Sequence, residues 1–284
     1  MPTAKELVSG AVRLVSLPAI YWDVKRVVDD LDATANDLAG VILTDPATTA
    51  RVLRLANSAF WGSRGSIWSV PRAVAQLGMT HVHDLVLASS VASVFKGVNP
   101  SRMDVSRFWS GSVFRAVAAA ALARECDLLD MERPFVEGLL SDIGHMVLYQ
   151  HAPKEAMLAL ERSREQPWML PQLERELIGC DYAHVGGALT EAWGLPLCFR
   201  AAIEHQDAPG QAADHAMESA LLHIAGRLAH NELGDGRPAS RYEIAPVIWE
   251  ITGLTESCMP EIIREAKMNL PSVARMFLPA AVAV

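Results

Sequence analysis

The heptapeptide Gly138-Leu139-Leu140-Ser141-Asp142-Ile143-Gly144 sets one carboxylate, Asp142, inside an apolar run. Phe135, Leu139, Leu140, Ile143 and Val147 recur at a spacing that predicts one continuous helix. A histidine just before Asp142 would complete a metal-ligand pair, because transition metals take imidazole, thiolate and carboxylate. Ser141 stands there instead, and a hydroxyl is a poor ligand. The chain has 9 histidines, but few are placed to substitute. His81 and His83 are two apart and fall on different faces of a helix. His145, three residues after Asp142, shares its face, although an ordinary helical histidine near a helix end explains it equally. His184 opens a helix running to Trp193, where a neutral imidazole can donate to an anion. His205 ends the next helix, where a protonated ring suits the dipole. The chain has no GxSxG, GxxxxGK[ST] or HExxH pattern, and no GxGxxG opening a helix after a strand.

These residues must be positioned by helices. Val82, Leu85, Val86 and Val94 recur at helical spacing, and Asp45-Pro46 is a helix start. From Asp104 to Cys126 an Ala/Val-rich stretch reads as a core helix, and its small residues let neighbouring helices approach closely. No segment sustains the two-residue alternation of a strand, so the fold class is all-α. A Gly/Pro linker at residues 96–103 and a second loop at 231–241 divide the chain. They predict a helical amino-terminal subdomain (1–98), a larger one (104–230) and a carboxyl-terminal helical extension (240–284). The loop from Asn57 to Val70 carries Phe60, Trp61 and Trp68; with Asn57 these are a candidate contact surface.

Of 284 residues, 51% are hydrophobic and 20% charged, a globular balance. A net charge of −8 argues against a broad nucleic-acid face and leaves only a local patch around Arg51 and Arg54. The 4 cysteines have no CxxC spacing and read as reduced thiols. No apolar stretch approaches the ~20 residues of a membrane helix, and Lys5, Glu6 and Arg13 interrupt any signal-peptide core. The expectation is a soluble, cytoplasmic protein without a membrane partner.

Several segments together resemble the HDOD family, the HD-related output domains of bacterial signalling. They are Leu17-Pro18, Leu43-Thr44-Asp45-Pro46-Ala47, Arg54-Leu55-Ala56-Asn57-Ser58, Ser69-Val70-Pro71-Arg72-Ala73-Val74, Leu77-Gly78, Phe108-Trp109, the heptapeptide, and Trp193-Gly194-Leu195-Pro196. The likeness runs to about residue 230 and implies two packed helical subdomains, the second an HD-like bundle. The related HD phosphohydrolases hold metal through a His, a His-Asp pair and a distant Asp. Carried over by this resemblance, the first His falls near Gly111, the paired His on Ser141 and its Asp on Asp142. The distal Asp falls near Gly226, with His223 the residue nearest to fill the gap.

One carboxylate out of four ligands holds no catalytic divalent ion. The resemblance therefore implies a pseudo-enzyme: no catalytic residue, no metal and no cofactor. Asp142 then has two readings. In one it accepts hydrogen bonds from Ser112, Ser141, a backbone donor or a histidine. In the other, Gly111, Ser141, Asp142, His145, His184, His205 and Gly226 line a remnant pocket for a small ligand. The partners implied are signalling proteins: a kinase, a cyclic-dinucleotide enzyme or a transcriptional regulator. The alternative is a metal-dependent phosphohydrolase acting on a nucleotide or phosphoester, with His145, His184, His205 and His223 as substitute ligands.

Overall fold

The structure, a computed structural model, describes residues 1–11, 17–57, 67–94, 104–128, 130, 132–234 and 244–277. The described residues are helical or irregular, with no strand among them, as the spacing predicted. In chain order the helices are α1 (Ala4–Ala11), α2 (Ala19–Asp29), α3 (Ala35–Leu43), α4 (Pro46–Ala56), α5 (Val70–Leu77), α6 (Met79–Val94) and α7 (Val105–Glu125). There follow α8 (Glu132–Leu140), α9 (Ile143–His151), α10 (Pro153–Arg162), α11 (Leu170–Leu177), α12 (Tyr182–Ala192), α13 (Leu197–Glu204), α14 (Ala216–Leu233), α15 (Pro246–Thr252) and α16 (Met259–Phe277). None of them is long and apolar enough to cross a membrane.

The chain divides into two compact units, residues 16–96 with 271–284 and residues 1–15 with 97–270. In the smaller unit, local chemistry fixes where each helix starts. Thr34 and Asp37 form a reciprocal capping box on α3, satisfying two orphan amides. Asp45 accepts the Thr48 amide at 3.0 Å and caps α4, with Pro46 at its first position. Val24, Leu38, Ile42, Val52, Val70, Val74, Val82 and Val86 bury the apolar faces so aligned. Arg51 and Arg54 are engaged within this unit, donating to the Ser89 and Ala50 carbonyls at 3.4 and 3.2 Å. Asn57 turns inward: its amide donates to the Leu53 and Ile67 carbonyls (2.7 and 2.8 Å) and accepts the Ile67 N–H (2.7 Å). Trp68, beside it, is 81% exposed. Phe60 and Trp61 lie outside the described residues.

The larger unit is built on α7, capped by Asp104 and closed at Cys126, the span its sequence marks. It takes in residues 1–15, which the sequence reading assigned to the amino-terminal subdomain: α1 packs on α12 and α9, and Lys5 pairs with Glu191 at 2.9 Å. It also takes in most of the carboxyl-terminal segment. Arg124 pairs with Glu265, and Cys126 donates to the Thr252 carbonyl at 3.4 Å. The predicted single helix across the heptapeptide is in fact two, with Ser141 and Asp142 in a turn between α8 and α9. Two glycines explain the break. A Cβ on Gly138 would stand 2.7 Å from the Arg115 carbonyl, so α8 lies directly on the α7 backbone. A Cβ on Gly144 would overlap the Tyr182 carbonyl and stand 2.8 Å from the Gly186 nitrogen, so α9 lies on α12. The chain meets two different helices within seven residues and bends between them.

Gly144→Ala is expected to lose about 3 kcal/mol or more in urea unfolding, because backbone atoms cannot yield to the added methyl. Gly40→Ala is the counterpart. Gly40 lies inside α3 with open space at its Cβ, and the substitution should gain about 0.5–1 kcal/mol.

Candidate functional site

The close approach at Gly138 brings the turn after α8 to the middle of α7, where Arg115 extends across it. Asp142 occupies the capping position of α9 but makes no cap bond; its carboxylate pairs with the Arg115 guanidinium. Both side chains are largely buried, at 11% and 17% exposure, so each removes a heavy desolvation penalty from the other. Burial still pulls the Arg115 pKa downward. The hydrogen-bond donors expected for Asp142 are turned elsewhere. Ser141 donates to the Gly138 carbonyl at 2.9 Å and Ser112 to the Phe108 carbonyl at 3.2 Å, each bonding back to the preceding turn of backbone.

Gly111 and Gly226 both face this guanidinium. A Cβ on Gly111 would stand 3.7 Å from Arg115 Nη1, and one on Gly226 would stand 3.7 Å from Nε. At that distance a methyl group at either position would rest in ordinary van der Waals contact with the arginine. Three of the positions where the family resemblance would set metal ligands thus lie against one group, and that group is a cation.

His145 lies beside the pair, with Nδ1 4.0 Å from Asp142. Its ring stacks on Tyr182, with centroids 4.2 Å apart at 12°, a consequence of the Gly144 approach. Nε2 is 3.2 Å from the buried Glu174 carboxylate but off the line of a hydrogen bond. Glu174 accepts instead from the Tyr182 amide at 2.9 Å. The Tyr182 hydroxyl bonds to Asp207, and burial followed by that carboxylate's charge pushes its pKa well up. Asp207 stands at the open side of the group, yet the protein around its carboxyl pushes its pKa up, against the Tyr182 bond that lowers it.

Sequence reasoning missed Gln206. Its side-chain amide donates to the carbonyls of Ser141 (2.7 Å) and Ile203 (3.0 Å), and its main-chain carbonyl accepts His223 Nδ1–H at 2.9 Å. Burial, then the nearby Arg227, lowers the His223 pKa to about 4. The neighbouring residue His205 closes α13 through its backbone. His184 belongs to a different group. Asp181 caps α12 by accepting the His184 amide at 2.9 Å, and it also holds His184 Nδ1 at 2.6 Å and pairs with Arg175. Burial would raise the Asp181 pKa, but these bonds outweigh it and hold the carboxyl low. They raise that of His184, whose ring thus faces an anion as expected, a carboxylate supplied by the cap of its own helix.

The ligand set does not fit a divalent ion. Among the described residues, Asp142, His145, Glu174, His184 and His223 nowhere bring three ligand atoms within 4.8 Å of one another, and the one matching carboxylate is engaged by Arg115.

Arg115→Met and Asp142→Asn are each expected to lose about 3 kcal/mol of stability, the penalty of stranding a buried charge. The double variant should lose far less than their sum in a denaturation cycle; additive losses would place the two groups apart. His223 gives a pH signature. The unfolded chain takes up its proton below about pH 6.5 and the native protein only near 4, so the native state is progressively disfavoured as pH falls through that window. His223→Gln should therefore reduce the loss of urea midpoint between pH 7 and pH 4, and an unchanged loss would remove His223 from the account.

The HDOD domain family matches residues 14–209 of this chain. A protein of Treponema pallidum (strain Nichols), named only as uncharacterized, is 23% identical over 181 residues. That match takes in 63% of this chain and 35% of the relative, so the chain spans about a third of that protein. Among solved structures, an HDOD domain protein with unknown function from Geobacter sulfurreducens is similar at a TM-score of 0.73. It is 24% identical, and 97% of each chain is covered. A provisionally named signal transduction protein from Marinobacter aquaeolei VT8 is similar at 0.71 and 23% identity, over 95% of this chain and 61% of that one. A provisionally named phosphohydrolase from Shewanella amazonensis SB2B follows at 0.67 and 24%, over 95% and 92%. At these identities the structural likeness speaks for the fold alone. The family match extends over most of the chain, and the chain belongs to the HDOD domain family.

Proposed function

We propose that this protein is a non-catalytic regulatory module of bacterial signal transduction, acting through contacts with other proteins. One observation carries the reading: Arg115 pairs with the only carboxylate left at the position of an HD metal site, between glycines where two other ligands would stand. A guanidinium keeps its charge and offers no open coordination position, so it neutralises Asp142 without activating water. The scaffold remains and the chemistry does not. Family membership supports a signalling role, with a kinase, a cyclic-dinucleotide enzyme or a transcriptional regulator as the partner class. Trp68, the described aromatic of the 57–70 segment, is the contact residue proposed for it.

Metal analysis of the purified protein should find no stoichiometric Fe, Mn or Zn, and added Mn or Fe should produce no turnover of nucleotides or phosphoesters. Stoichiometric metal with phosphatase activity would overturn the reading. Affinity capture from the native cell should recover a signalling protein, and Trp68→Ser should weaken that capture without changing the melting temperature.

A further inference from the structure

Helix α10 points two side chains fully inward, Ala156 and Ala159. At about 100° per residue the opposite face carries Lys154, Met157, Leu158 and Glu161, all exposed. Met157 is 48% and Leu158 37% exposed; Leu160 flanks them at 40%, and Trp168 at 43% follows in the turn Pro167–Met169. A single exposed leucine needs no explanation, but four large apolar side chains along one short segment mark a contact surface.

The order of charges identifies the occupant. Along the stripe it reads cation, apolar, apolar, anion. A two-fold axis between residues 157 and 158 carries Lys154 onto Glu161 of another copy and Met157 onto Leu158. An antiparallel second copy thus sets each cation against an anion and brings the apolar pairs together, whereas a parallel one would oppose like charges. These two charges are also the wrong way round for their own helix. Lys154 sits in the first turn and Glu161 in the last, against the macrodipole that their neighbours Glu155 and Arg162 complement. Neither has an ion-pair partner within the chain among the described residues.

We propose that this face is a self-association surface, on which α10 of one protomer docks antiparallel against α10 of its partner. The surface is small, so the dimer forms weakly and with concentration. The inference is independent of the signalling reading above.

Sedimentation equilibrium of the full chain over a concentration series should show monomer passing to dimer. Lys154→Glu should weaken association roughly tenfold, because it opposes two pairs of carboxylates. Lys154→Glu with Glu161→Lys should restore it, and Met157→Asp should abolish it. All three sites are exposed, and unchanged melting temperatures would confirm intact folding. A monomer at every concentration overturns the proposal, as does a double variant no better than Lys154→Glu. A monomeric wild type that loses capture of a different protein on Met157→Asp also overturns it and assigns the face to that protein.

Discussion

The ion pair of Arg115 and Asp142 is the constraint around which the larger unit is arranged. A carboxylate in the turn between two buried helices demands a positive partner, since an unpaired buried charge costs several kcal/mol. A divalent ion meets that demand with several ligands gathered about it. Here one monocation meets it, covalently tethered to α7, and the consequences run outward. Gly111 and Gly226 lie beside the guanidinium, where a Cβ would stand 3.7 Å from its nitrogens. A tethered cation is also indifferent to chelators and to the supply of metal in the cell.

The polar groups around the pair are joined without it. Gln206 ties the Ser141 carbonyl to the end of α13 and, through its main-chain carbonyl, to His223 on α14. Tyr182 connects α12 to Asp207 through its hydroxyl and to Glu174 through its amide. Four helices are thereby linked through a handful of directional bonds. Such a network fixes one packing of the bundle more sharply than apolar contacts alone, which tolerate sliding.

Much of this was legible in the sequence. The bounds of α7 followed from Asp104 and Cys126, and the cap of α4 from Asp45-Pro46, because capping chemistry is local. Gly111 and Ser141 stood out as missing ligands through the family likeness. The ion pair of Arg115 and Asp142 did not, since the two lie 27 residues apart. Arg115 lies within the Ala/Val-rich stretch from Asp104 to Cys126, which reads only as a core helix. The break at Ser141 was hidden because apolar spacing continues unbroken across two helices that pack on different neighbours. Its signal was the pair of glycines, whose meaning depends on which backbone each one touches. The placement of residues 1–15 was hidden for a similar reason: α1 shows an amphipathic face but not which helix it meets.

Asn57 has a consequence of a different kind. Its side chain bonds both backbone groups of Ile67, ten residues on, so the end of α4 is joined to the approach to α5 without the chain in between. The helical frame is indifferent to what that intervening sequence says. Lengthening such a segment carries only a small entropic penalty, about 0.6 kcal/mol for each doubling. The two helices therefore keep their junction through a single side chain, whatever length of chain separates its two ends.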